Sequence, residues 1–273
     1  MKTKSIVLNK DASIPLLGFG TWQLTGAECV AGVEAALKMG YVHIDTADAY
    51  GNHADVAQGI KNSGVARPYI FITTKVWNTM HKHDDVIESG ERFLKELEVD
   101  YIDLLLVHWP IHKVPVEETL KAMDELKRRG VVRAIGVSNF TQHHIEDALK
   151  AGVEITNNQV EAHPTFNQKD LRAFCESENI SVTAYSPLGH GEDLNNELME
   201  ELGEKYAKSP AQIALNWVMS RGMVAIPKSS NPERIKENFE SMNFEMEEAD
   251  LQRIDTMPQG ERLVSPSFGE FNY

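Results

Sequence analysis

The chain is short of positive charge. Its 27 lysines and arginines stand against 41 aspartates and glutamates, a formal net charge of −14 over 273 residues. A nucleic-acid partner needs a basic face, so that class is set aside. A small anionic ligand responds to local charge and is not excluded. No apolar run approaches the ~20 residues of a membrane span. The opening stretch Met1–Ser5 leads into a short strand without the apolar region of a secretion signal. There are only two cysteines, Cys29 and Cys175, in no metal-binding or nucleophile spacing. Two core thiols in a reducing, cytoplasmic setting are expected, with no membrane partner. No linker, low-complexity run or shift in composition divides the chain, so residues 1–273 read as a single domain, expected to be monomeric.

What is present is a repeat of short β-rich runs with helical segments between them. The runs are Gly18–Thr21, Tyr41–Ile44, Ile70–Lys75, Tyr101–Val107, Val131–Val137, Ile155–Val160, Ile180–Tyr185 and Met223–Ile226. Among the segments between them, Asp84–Leu97 places Val86, Phe93, Leu94 and Leu97 on one helical face. Val116–Arg129 ends in basic residues before Gly130, and Ser209-Pro210 has the cap-plus-proline signature of a helix start. Runs such as Leu104-Leu105-Leu106-Val107 are apolar at successive positions, as parallel strands covered on both faces require. An open dinucleotide-binding sheet would need G-x-G-x-x-G after its first strand, and Gly18-Phe19-Gly20-Thr21-Trp22-Gln23 lacks the third glycine. Eight strands favour a closed (β/α)8 TIM barrel with short βα loops. Ser5–Leu16, turning at Asn9-Lys10-Asp11, is expected as a β-hairpin ahead of it.

In such a barrel, chemistry lies where strands pass into βα loops. After the second run come Asp45 and Tyr50, the third ends in Lys75, and the fourth runs into His108. A free tyrosine titrates near ~10, too high for efficient acid catalysis at neutral pH. A nearby lysine cation would stabilise the phenolate, a carboxylate would hold the lysine, and a histidine could orient a carbonyl oxygen. Alone, each residue is more simply a cap, a core aromatic or a solvated charge. Together at consecutive strand ends they point to proton donation to a carbonyl.

The same residues resemble the aldo-keto reductase family. The resemblance runs through Gly18-Phe19-Gly20-Thr21-Trp22, His43-Ile44-Asp45-Thr46-Ala47 with Tyr50-Gly51-Asn52, Ile72-Thr73-Thr74-Lys75-Val76-Trp77 and Val107-His108-Trp109-Pro110. It continues in Ile135-Gly136-Val137-Ser138-Asn139-Phe140 and Ile226-Pro227-Lys228-Ser229. It implies NADPH bound without a Rossmann fold, Tyr50 as general acid with Asp45, Lys75 and His108, and a small carbonyl substrate. It implies that Gly20, Thr21 and Asp45 lie against the cofactor. By the same implication Ser138, Asn139 and Gln159 hold the nicotinamide carboxamide, and Tyr185 stacks on its ring. Ser186, Leu188 and Gly189 would follow the pyrophosphate, with Lys228, Ser229, Ser230 and Arg234 at the 2′-phosphate and Glu237 and Asn238 at the adenine. Lys228 and Arg234 flank a helix start at Asn231-Pro232-Glu233, a combination that favours phosphate. Trp22, Trp77 and Trp109, just past three strand ends, are expected to wall a substrate pocket.

His53 departs from the family, which commonly has glutamate there, and is expected to change a nearby polar contact but not the proton chemistry. The loops after His108 and Gly189 are shorter than in animal members. These features and Arg262-Leu263-Val264-Ser265-Pro266 resemble the bacterial 2,5-diketo-D-gluconate reductase branch, which implies methylglyoxal-like carbonyls and keto-sugars as substrates. Other barrel classes fit less well. A non-catalytic relative would lack part of the tetrad, and a glycosidase would need paired carboxylates at the mouth. A catalytic metal would need clustered ligands at strand ends; His81, His83, His143 and His144 read as exposed, and no metal is expected.

Overall fold

The computed structural model describes residues 4–273. Two short strands, β1 (Ser5–Val7) and β2 (Ser13–Pro15), pair antiparallel as the expected hairpin. Eight parallel strands follow: β3 (Phe19–Gly20), β4 (His43–Asp45), β5 (Phe71–Val76), β6 (Ile102–Val107), β7 (Val132–Ser138), β8 (Asn157–Glu161), β9 (Ser181–Tyr185) and β10 (Met223–Ala225). Each pairs with its sequence neighbour. A parallel bridge from Leu17 to Ala225, with Gly18 N–H donating to the Ala225 carbonyl at 2.8 Å, joins the first strand to the last and closes the ring.

The run Leu104-Leu105-Leu106-Val107 is buried on both sides. Leu104 and Leu106 point into the barrel with Phe71, Ala134 and Val224. Leu105 and Val107 belong to the larger apolar layer between sheet and helices. Leu8, Ala12 and Ile14 of the hairpin pack with the interior set, so the hairpin plugs one end of the barrel and leaves the other for chemistry. In the wall, a Cβ on Gly136 would lie 2.5 Å from the Asn157 carbonyl, so only glycine fits between β6 and β8 at that level.

The helices start and stop where the sequence suggested. His83–Leu97 buries Val86, Phe93 and Leu97. Val116–Arg128 ends just before Gly130, whose φ of 78° lies in the left-handed region. Pro210–Ser220 opens on a full capping box between Ser209 and Gln212. Four strands extend one residue beyond their apolar runs, to Asp45, Val76, Ser138 and Glu161. At Asp45, Ser138 and Glu161 the ladder continues into polar residues that an apolar pattern excludes.

Candidate active site

Asp45 ends β4, Lys75 lies one residue before the end of β5, and His108 directly follows β6. Neighbouring parallel strands thus bring the three to one level at the barrel mouth. Tyr50 arrives on a helical turn, Asp48–Tyr50, held by an ion pair from Asp48 to Arg92 at 2.9 Å. Lys75 Nζ donates to Asp45 Oδ1 at 2.6 Å and to the Thr46 carbonyl at 2.9 Å, and lies 3.4 Å from the Tyr50 hydroxyl. The other Asp45 oxygen accepts from Gln159 Nε2 at 2.7 Å, so the buried carboxylate is paired on both sides. The rings of Tyr50 and His108 meet edge-on, centroids 5.9 Å apart.

Burial governs the protonation of this group. It pushes the Tyr50 phenol well above its ordinary value, and the Asp45 carboxylate adds to the rise. The sequence suggested that Lys75 would lower it. The lysine is instead committed to Asp45 at 2.6 Å, against 3.4 Å to the phenol. Burial, followed by the Lys75 charge, holds His108 well below the usual imidazole range. The site at rest is therefore a protonated tyrosine beside a neutral histidine.

A cavity of about 1290 Å³ opens above these groups. Of the residues singled out in the sequence, it is lined by Gly20, Trp22, Asp45, Tyr50, Trp77, His108, Trp109, Ser138, Asn139, Gln159, Tyr185, Ser186, Leu188, Lys228, Ser229, Arg234, Glu237 and Asn238. Thr21 and Lys75 are buried just behind the wall, Thr21 donating to the Asp45 carbonyl. Gly189 and Ser230 are also outside the lining. A Cβ on Gly189 would meet the Asp193 carboxylate at 2.8 Å. Asn139 is spent within the protein: its Nδ2 donates to the His108 carbonyl at 3.0 Å, and its Oδ1 accepts from the Tyr185 hydroxyl at 2.8 Å. Asn139 and Ser186 have φ of 64° and 47°, strained loop conformations of the kind found where a rigid site is built. Lys228 and Arg234 face the far end with no ion-pair partner among the described residues. At the helix start beside them, Asn231 accepts from the Glu233 and Arg234 amides.

Two features escaped the sequence reading. The C-terminal tail folds back over the mouth, where Val264, Pro266 and Phe268 join the lining. Phe268 packs edge-on against Trp77 and Trp109, at 5.8 and 5.4 Å, covering the side that the short loops leave open. Nothing in the local pattern of the tail signalled this, since the contact spans more than 150 positions. Two histidines read as exposed are buried: His81 is 3% and His144 5% exposed. His144 is drawn inward as the third residue of the capping box opened by Thr141. His53 makes two polar contacts of its own. It lies behind the wall, bridging Glu96 and the Thr74 hydroxyl, each at 2.8 Å.

A profile of the Aldo/keto reductase family matches residues 16–258. The chain belongs to the aldo/keto reductase family. It is 43% identical to the 9,11-endoperoxide prostaglandin H2 reductase of Trypanosoma cruzi, over 94% of this chain and 93% of that protein. It is 42% identical to the glyoxal reductase of Bacillus subtilis, over 95% and 94%. An aldo-keto reductase enzyme from a Medee basin deep-sea metagenome library has a solved structure that superposes with a TM-score of 0.93 at 38% identity, covering 99% of this chain and 100% of that one. This aldo/keto reductase is thus an oxidoreductase of carbonyl and alcohol groups that works with a nicotinamide cofactor.

In this reductase the tail is moored by a buried ionic cluster. Glu161, at the end of β8, accepts from the Leu263 and Val264 amides, both at 2.7 Å. His163 lies between Glu161 at 3.4 Å and Asp193 at 2.9 Å, which joins the tail mooring to the loop that carries Gly189. Burial opposes charge on His163, but the Asp193 and Glu161 contacts outweigh it and raise its pKa to about 9. A raised pKa stabilises the fold fully below the unfolded value near ~6.5, and that contribution is lost as pH rises through about 9. The wild type should therefore lose on the order of 2 kcal/mol relative to His163→Gln between these limits. Urea midpoints of both proteins across that window check this; parallel curves would show that His163 is not charged in the fold.

Proposed function

We propose that this chain reduces small aldehydes and ketones with NADPH, Tyr50 giving the proton to the carbonyl oxygen. The substrates fall in the class of methylglyoxal-like carbonyls and keto-sugars such as 2,5-diketogluconate. The observation that carries this reading is the buried Lys75, 2.6 Å from Asp45 and 3.4 Å from the Tyr50 hydroxyl, just behind the wall of a cavity whose far end has two cations without an ion-pair partner among the described residues. A cytoplasmic monomer built as one barrel domain is part of the same reading.

When bound, the nicotinamide supplies the hydride. The chain does the rest. Trp22, Trp77, Trp109 and Phe268 wall the space beside Tyr50 and limit the carbonyl to a small group. His108, neutral, can donate one N–H to the carbonyl oxygen and turn it toward the Tyr50 hydroxyl. Charge develops on that oxygen as its carbon is reduced, and the phenol proton moves to it. The phenolate left behind faces the Lys75 ammonium, so the cation contributes most at the point where charge forms. The raised resting pKa keeps the proton in place until then.

Lys228 and Arg234 would hold the 2′-phosphate that distinguishes NADPH from NADH. Lys228→Ala and Arg234→Ala should each raise the KM for NADPH by about tenfold or more, the worth of one charge-assisted contact, with the KM for NADH nearly unchanged. Equal losses with both cofactors would remove these residues from phosphate recognition. The reading as a whole is tested by following NADPH oxidation against aldehydes, keto-acids and keto-sugars, with NADH in parallel. Turnover with none of them would leave a cofactor-binding protein without this activity.

A further inference from the structure

Beside Trp109, three side chains from separate parts of the sequence converge. His112 lies in the loop after β6. His144 is the third residue of the helix Gln142–Leu149, and Glu270 is in the C-terminal tail. His112 Nε2 is 3.1 Å and His144 Nε2 3.4 Å from the same Glu270 oxygen, and the three atoms lie within 4.8 Å of one another. Zinc bonds of 2.0–2.2 Å in tetrahedral array place neighbouring ligand atoms about 3.3–3.6 Å apart. Two of the three edges are close to that spacing already.

Hydrogen bonds behind His144 fix the orientation of its ring. Thr141 Oγ1 has one proton and gives it to the Tyr273 carbonyl at 2.8 Å. It also lies 2.9 Å from His144 Nδ1. The Thr141 amide donates to that nitrogen at 3.2 Å, the return bond of the capping box, and so turns Nε2 toward Glu270. Nε2 faces the Glu270 carboxylate at 3.4 Å, where a metal ion replacing the ring proton would bond to both atoms. His163 differs: it meets its two carboxylates through opposite nitrogens, so no single ion can bridge that set.

We propose that His112, His144 and Glu270 form a Zn2+ site, unconnected with the redox chemistry, that ties the C-terminal tail to the barrel. Two imidazoles and a carboxylate suit zinc, with water completing the shell. Glu270 lies between Phe268 and Phe271, both of which pack on Trp109. Binding at Glu270 thus holds the aromatic segment that lines the substrate pocket.

The full chain, stripped with EDTA, is titrated with Zn2+ by calorimetry, and cleavage within the tail by a protease is timed with and without the metal. One Zn2+ per chain is expected. His112→Ala and Glu270→Gln, at partly exposed positions that the fold tolerates, should each weaken binding by about tenfold or more. His83→Ala, which removes an exposed histidine beside Asp84 and Glu125, should leave it unchanged. Bound zinc should slow tail cleavage in the wild type, and EDTA should restore it. No binding by the wild type, or equal binding by both variants, overturns the site. Zinc that binds and leaves tail cleavage unchanged overturns the tether.

Discussion

Tyr50→Phe is expected to lower kcat by about 10³-fold or more, with NADPH affinity nearly unchanged. The substitution removes one oxygen and keeps the ring that meets His108 at 5.9 Å, so the pocket retains its shape. It deletes the one proton held where the reduced oxygen would form. Affinity should persist because Lys228, Arg234, Ser186 and Leu188 lie along the cavity away from the hydroxyl. Single-turnover kinetics and cofactor fluorescence titration separate the two effects. Turnover retained by the variant would assign the proton to another group, and a parallel loss of affinity would make Tyr50 a cofactor ligand instead.

Lys75→Met should both abolish activity and destabilise the fold by about 3–5 kcal/mol, the usual result of breaking a buried ion pair by removing one partner. Lys75 is 1% and Asp45 2% exposed, so water cannot replace the lost ammonium. Asp45 would keep only Gln159, at 2.7 Å, against its negative charge. For a chain of this size the melting temperature should fall by roughly 6–15 °C. The double variant Asp45→Asn/Lys75→Met should recover most of that stability and none of the activity, because the stranded charge is gone while the groups around Tyr50 are still missing. If Lys75→Met melts with the wild type, the pair is not ionised in the resting fold, and the case for Lys75 as a buried cation beside the phenol fails.

The pattern of the chain was enough to place the eight strands, the hairpin and the barrel, because parallel strands covered on both faces leave long apolar runs and hairpins leave turn residues. Asp45, Tyr50, Lys75 and His108 were legible for a related reason: in a barrel, the residue that ends an apolar run is delivered to the mouth, so position in the pattern gives position in space. The strand limits were less legible, since Ser138 and Glu161 stay in the ladder although they are polar. Only the tertiary structure showed that burial and Asp45 raise the Tyr50 phenol, a balance set by distances of a few ångströms. Only the tertiary structure brought the tail across the mouth to seat Phe268 on Trp77 and Trp109, and to set Glu270 beside His112 and His144. Those contacts join parts of the chain more than a hundred residues apart, and no periodicity records which distant loop a tail will meet. The sequence by itself determined the barrel and the chemical groups at its mouth, because both follow from continuous apolar runs and the polar residues that come after them. The protonation of those groups and the closure of the pocket were decided by packing between segments that the sequence keeps far apart.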